Sequence, residues 1–71
     1  RSSDLIGKEL ERLYREVAKA EAEAERYRTK LANPAFVERA PAEIVARQRE
    51  ALATVEEQLA KIRQRIAQLE A

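Results

Sequence analysis

Asn33-Pro34-Ala35-Phe36-Val37-Glu38-Arg39-Ala40-Pro41 holds both prolines of this 71-residue chain. On either side run long, charged, helix-favouring segments with no proline inside them. That arrangement decides the fold: helix, turn, helix. Pro34 cannot continue a helix, and it disfavours α geometry at Asn33 before it. Asn33 can close the first helix in a left-handed conformation, which its short side chain tolerates. It can also cap a short helical turn running from Pro34 to about Arg39. Pro41 suits the first position of the second helix, where its missing N–H costs nothing. The expected layout is a helix over about 4–32, a turn over 33–40 with room for that short helical turn, and a helix over about 41–70.

Working back from the turn, apolar or small residues recur at Leu31, Tyr27, Ala24, Ala20, Val17, Leu13, Leu10 and Ile6. The steps alternate between four and three, which is a heptad seam. Leu10, Val17, Ala24 and Leu31 take position a; Ile6, Leu13, Ala20 and Tyr27 take d. Ser2, Ser3 and Asp4 precede the seam and can cap the first turn. Gly7 weakens that end by roughly 1 kcal/mol relative to alanine and marks either fraying or a join to an upstream segment.

Working forward, the seam resumes at Val45, Gln48, Leu52, Val55, Leu59, Ile62, Ile66 and Leu69. Gln48 is its one polar member, near the turn, where water is within reach. The fold class is therefore all-α: two long helices in an antiparallel coiled-coil hairpin, each helix roughly 40 Å long at about 1.5 Å per residue. In such a pair a faces d of the partner, and the facing residue numbers add to about 72 or, one heptad away, about 79. At 72, Ile6 meets Ile66, Leu10 meets Ile62, Leu13 meets Leu59, Val17 meets Val55 and Ala20 meets Leu52. Glu21 then lies beside Arg49 and Glu9 near Arg65. At 79, Glu21 would face Glu56 and Arg28 would face Arg49. Avoiding like charges favours 72.

Composition narrows the function classes. There is no Cys and no His, which removes a thiolate metal site and the usual nucleophile–base pairs. No glycine-rich phosphate loop is present, and Glu56-Glu57 and Glu21, Glu23 and Glu25 read as exposed helix charges. No catalytic residue and no metal ligand is assigned. No apolar run is long enough to span a membrane, and the start at Arg1 reads as a piece of a larger protein. Net charge is only +1, but residues 26–49 carry six Lys/Arg against two acids, leaving +4, and these lie at the turn end of the hairpin. The c and g positions form one flank, where Arg12, Lys19, Arg26, Lys30, Arg47, Lys61 and Arg65 face only Glu9, Glu16 and Glu23. This flank suits a phosphate backbone, or is an ordinary solvated helical surface. Phe36 either folds back on Leu31, Ile44 and Val45 as a cap, or stacks on an unpaired base. Ala46, Ala53, Ala60 and Ala67 repeat at b on the second helix, which reflects helix propensity or offers a surface for self-association.

The turn residues themselves are more specific. Lys30-Leu31-Ala32-Asn33, then Phe36-Val37, Ala40-Pro41, Ile44-Val45 and Arg49-Glu50, resemble the C-terminal arm of bacterial valyl-tRNA synthetases. In that family a heptad helix runs into a KLxN…FVxxAPxxVVxxE-type turn and a second heptad helix. The resemblance covers essentially the whole chain and departs only mildly, with Ile44 where Val is common and Arg39 where Lys is common. It implies a non-catalytic arm on an ATP-dependent, cytoplasmic valine–tRNA ligase, remote from the aminoacylation and editing sites. The arm itself would need no cofactor; ATP would belong to the parent. Its implied partners are tRNA, held at the elbow where the D and T loops meet, and the catalytic body of the parent. No membrane is implied, and the excised piece is free to self-associate. Charge and position make Arg26, Lys30 and Arg47 the first candidates for phosphate contacts, followed by Arg28, Arg39 and Arg49, with Phe36 as a stacking candidate. The alternative is a structural coiled-coil module that mediates dimerisation or docking. The isolated piece should be marginally stable and should bind tRNA weakly and in a salt-sensitive way.

Overall fold

The computed structural model describes residues 2–71, except for the side chains of Ser2, Ser3 and Asp4. The caps expected from those three side chains lie outside the described residues. The chain forms α1 (Ser2–Ala32), α2 (Pro34–Arg39) and α3 (Ala42–Glu70). The two long helices pack along each other as an antiparallel hairpin, a rod of 55 × 14 × 14 Å. The expected fold class is the one that forms.

Both breaks in the helical path fall on a residue that precedes a proline. Asn33 has φ −84° and ψ 110°, and Ala40 has φ −72° and ψ 146°. The ring of the following proline pushes each out of the α region and into extended geometry. The left-handed ending expected of Asn33 is therefore wrong: no described non-glycine residue has positive φ. Asn33 acts forward instead, its Oδ1 accepting from the Ala35 N–H at 3.1 Å to cap α2. Its own N–H still donates to the Lys30 carbonyl at 3.2 Å, so it joins both helices. Pro34 takes the first position of α2. Pro41 sits one residue earlier than expected, as the N-cap of α3 with φ −57° and ψ 146°. Its carbonyl accepts from Ile44 at 3.0 Å and Val45 at 3.1 Å, which starts α3 without a side-chain cap.

The register is 79, not 72. Three cross-helix bonds run down one flank, Tyr14–Glu70, Glu21–Arg63 and Arg28–Glu56, and each pair of residue numbers adds to 84. All six residues are at e. An e–e′ pair adds to the layer number plus five or minus two, so 84 belongs to layers of 79. The core agrees: Ala24, at 0% exposure, clusters with Val55 and Leu59, and Tyr27 and Leu52 pack against them. Leu13 and Ile66, also facing at 79, are both buried. Ile6, which would have met Ile66 at 72, is 38% exposed. The like-charge objection to 79 considered only one of the two diagonals. Each e residue straddles two partners, and the other diagonal sets Glu21 beside Arg63 at 2.7 Å and Arg28 beside Glu56 at 3.0 Å. Glu9 likewise bonds within its own helix, to Arg12, rather than across to Arg65.

The longer register has a consequence at each end. At the turn, α3 extends one turn beyond α1, so only the connection can cover Val45, which is nonetheless buried. That is the place of α2, whose Phe36 and Val37 are half-buried. At the open end, α1 runs past the end of α3, and Ile6 has no layer partner among the described residues; Leu5, at c, lies on the flank and is exposed.

Two features give testable outcomes. Gln48 was expected near the turn with water in reach; its Oε1 is shielded from solvent and has no hydrogen-bond partner among the described residues. Its layer faces Leu31 at this register. An orphaned acceptor costs about 1–3 kcal/mol. Gln48→Leu should therefore raise stability by about 1–2 kcal/mol, read as a higher urea midpoint at unchanged slope. A lower midpoint would mean that the amide is satisfied in solution. Tyr14 donates to Glu70 Oε2 at 2.5 Å, and that bond, then desolvation and the carboxylate charge, raises the phenol above its ordinary value of 10.0. A raised folded pKa means that the contribution is present below pH 10 and is lost as pH climbs through the folded value. In a Tyr27→Phe background, the phenolate absorbance of Tyr14 should titrate above the ordinary value and fall back towards it in Glu70→Ala. Identical curves would place the phenol free in solvent.

Candidate nucleic-acid interface

The turn end gathers cations because three elements converge there. Arg26 and Lys30 lie four residues apart on α1, so they stand one above the other on one face. Arg47 lies on the same c/g flank in the second turn of α3. Arg28 and Arg49, both at e, point to the opposite flank. Arg39 ends α2 and lies at the tip. All six are exposed. Heptad position thus sets Arg26, Lys30 and Arg47 on one flank and Arg28 and Arg49 on the other.

Pairing divides the set further. Arg28 is engaged from two sides, with Glu56 at 3.0 Å and Glu25 at 3.5 Å. Its guanidinium pKa is raised, first by the hydrogen bond to Glu56. Arg63 is tied to Glu21, Arg12 to Glu9 and Arg15 to Glu11. Among the described residues, no carboxylate lies within ion-pair reach of Arg26, Lys30, Arg39, Arg47 or Arg49. Carboxylates serve the e flank and the stem, while the c/g flank near the turn keeps uncompensated positive charge. A multivalent anion meeting that flank displaces water and counterions without first breaking an internal pair. Arg28 differs, since a phosphate there would have to compete with Glu56.

Two shallow surface features accompany the charge. Lys19, Arg26, Tyr27 and Lys30 border an open depression along α1, with Glu23 and Glu25 on its edge. At the tip, Asn33, Phe36, Arg39 and Ala40 line a smaller hollow. Phe36 is half-buried and lines that hollow. Ile44, grouped with the apolar cap in the sequence, stays 38% exposed one turn before Arg47. What the sequence did not reveal was the role of Glu56 and Glu25 as partners of Arg28. The signal for Glu56 was present in the second e–e′ diagonal, and that for Glu25 in its spacing of three residues from Arg28 on α1.

The pattern of a proline-bounded turn, free cations beside it and a 79-register stem can be set against known proteins. A family described as the valyl tRNA synthetase tRNA binding arm matches residues 6–70. The chain belongs to that family. The resemblance drawn from the turn residues is borne out. A valine–tRNA ligase of Carboxydothermus hydrogenoformans is 46% identical over 68 residues, covering 93% of this chain and 8% of the relative. One from Nostoc is 43% identical over 58 residues, covering 82% and 6%. One from Geobacter sulfurreducens is 50% identical over 50 residues, covering 70% and 6%. The arm thus spans less than a tenth of the length of the curated relatives it matches. No solved structure matches it. No helix among the described residues is long and apolar enough to cross a membrane.

Proposed function

We propose that this chain is the tRNA-binding arm of a valine–tRNA ligase and that it grips tRNA through the c/g flank at the turn end. Arg26, Lys30 and Arg47 contact backbone phosphates, with Arg39 and Arg49 at the margins and Arg28 held back by Glu56. The observation that carries this reading is the run of exposed, unpaired cations on one flank of a member of the arm family. Two stiff helices set those charges at fixed spacing far from the root of the rod, which suits a target displaced from the catalytic body, the elbow of the tRNA. Phe36 and the hollow around it offer a stacking edge to a base at the tip. On this reading the arm performs no chemistry. Valine activation, ATP and the cytoplasmic setting belong to the parent, and the arm lengthens the residence of tRNA on it.

Phosphate contacts carry a signature in salt. Each one releases counterions, so the logarithm of the affinity should fall with the logarithm of salt by roughly 0.7–0.9 per contact. For three to five contacts the 71-residue chain should give a slope of roughly 2–4.5. A flat dependence would remove the phosphate reading. A stable dimer without any low-salt tRNA binding would favour a purely structural coiled coil.

A further inference from the structure

The two tyrosines of the hairpin differ in what their hydroxyls do. Tyr14 donates across the helices to Glu70. The Tyr27 hydroxyl has no hydrogen-bond partner among the described residues. The rest of Tyr27 belongs to the core: it is half-buried and packs against the cluster of Ala24, Val55 and Leu59. A tyrosine in such a place buries its ring and leaves its polar end at the water. Phenylalanine would fill the same seam position, so the fold makes no use of the hydroxyl.

The surroundings supply a use. Around a heptad helix, d is followed by g and then by c, so Tyr27 stands at the seam edge of the cationic flank. With Lys19, Arg26 and Lys30 it borders the open depression along α1. Among the described residues, none of those three cations has a carboxylate within ion-pair reach. Of the two acids on the rim, Glu25 is engaged by Arg28, and Glu23 lies one turn towards the stem. On the turn side of Tyr27 an anion therefore meets Arg26 and Lys30 without a free acid between them.

We infer that Tyr27 is an RNA-contacting residue, whose hydroxyl donates to a backbone phosphate oxygen that Arg26 and Lys30 attract by charge. The occupant is RNA because the chain belongs to a tRNA-binding arm family, and because a neutral donor beside unpaired cations matches a phosphate. The inference rests on the phosphate-binding flank proposed above and adds a contact of a different kind. Arg26 and Lys30 release counterions when they bind, whereas an uncharged hydroxyl releases none.

That difference makes the contact measurable. The experiment is tRNA binding by the full-length protein over a series of salt concentrations. It compares wild type with Tyr27→Phe, Lys30→Gln, Tyr14→Phe and the triple reversal Arg26→Glu/Lys30→Glu/Arg47→Glu. Tyr27→Phe should lower affinity about five- to tenfold at every salt and leave the salt slope unchanged. Lys30→Gln should make the slope shallower by roughly 0.7–0.9. Tyr14→Phe, at the stem, should bind as wild type. Wild-type affinity in Tyr27→Phe, with the triple reversal weakened, would overturn this inference alone. So would an equal loss in Tyr14→Phe, or a shallower slope in Tyr27→Phe, since either would trace the effect to the fold of the rod. Wild-type affinity in the triple reversal would overturn the proposed flank and this contact with it.

Discussion

Leu59→Ala should unfold much of the isolated hairpin at room temperature. Leu59 is 3% exposed and sits with Ala24 and Val55 at the centre of the only buried cluster among the described residues. Removing a buried leucine side chain costs about 2–5 kcal/mol, part lost transfer energy and part cavity. A two-helix rod cannot close such a cavity easily, because the facing Ala20 is small. A single small core of this kind rarely supplies more than about 3–5 kcal/mol in total. Loss and reserve are therefore of the same size. Circular dichroism at 222 nm against urea would read the change as a midpoint moved close to zero denaturant. Leu5→Ala, at 67% exposure, is the control and should shift stability by less than about 0.5 kcal/mol. A wild-type midpoint for Leu59→Ala would mean that the core lies elsewhere along the seam.

The sequence made the hairpin legible for simple physical reasons. Two prolines seven residues apart break a helix wherever they fall, and an unbroken heptad seam leaves little choice of partner face. The family was legible in the same place, since the turn residues are constrained one by one where the helices are constrained only by period. The register was not legible. Two registers a heptad apart satisfy the same seam, and the choice turned on exposed charge pairs worth a few tenths of a kcal/mol each. Gln48 could have helped. At 72 it would face Ala24, and at 79 it faces Leu31, which leaves Ala24 to close against Val55. Of the two roles open to Asn33, the left-handed ending fails because Pro34 holds it in extended geometry, and the forward cap of α2 is the one that forms. Among the site residues, exposure and flank followed from the heptad, but the pairing of Arg28 did not, because it depends on the register.

That pairing bears on the second large effect. Reversing Arg26, Lys30 and Arg47 together removes three unpaired cations and installs three repulsive carboxylates on the same flank. At about 1 kcal/mol per site, the loss sums to roughly 3 kcal/mol, or about a hundredfold in affinity. No buried residue is touched, so the hairpin should fold as before. Reversing Arg28 alone should mix two effects, since it also frees Glu56 and Glu25 and weakens a cross-helix bond. It is the poorer probe.

The most direct measurement is tRNA binding by the full-length parent at two salt concentrations, comparing wild type with Arg26→Glu/Lys30→Glu/Arg47→Glu. The account predicts an affinity about a hundredfold lower at low salt, a smaller gap at high salt as screening takes over, and unaltered valine activation. An affinity equal to wild type at both salts would contradict it, and would leave the arm without a phosphate-binding flank.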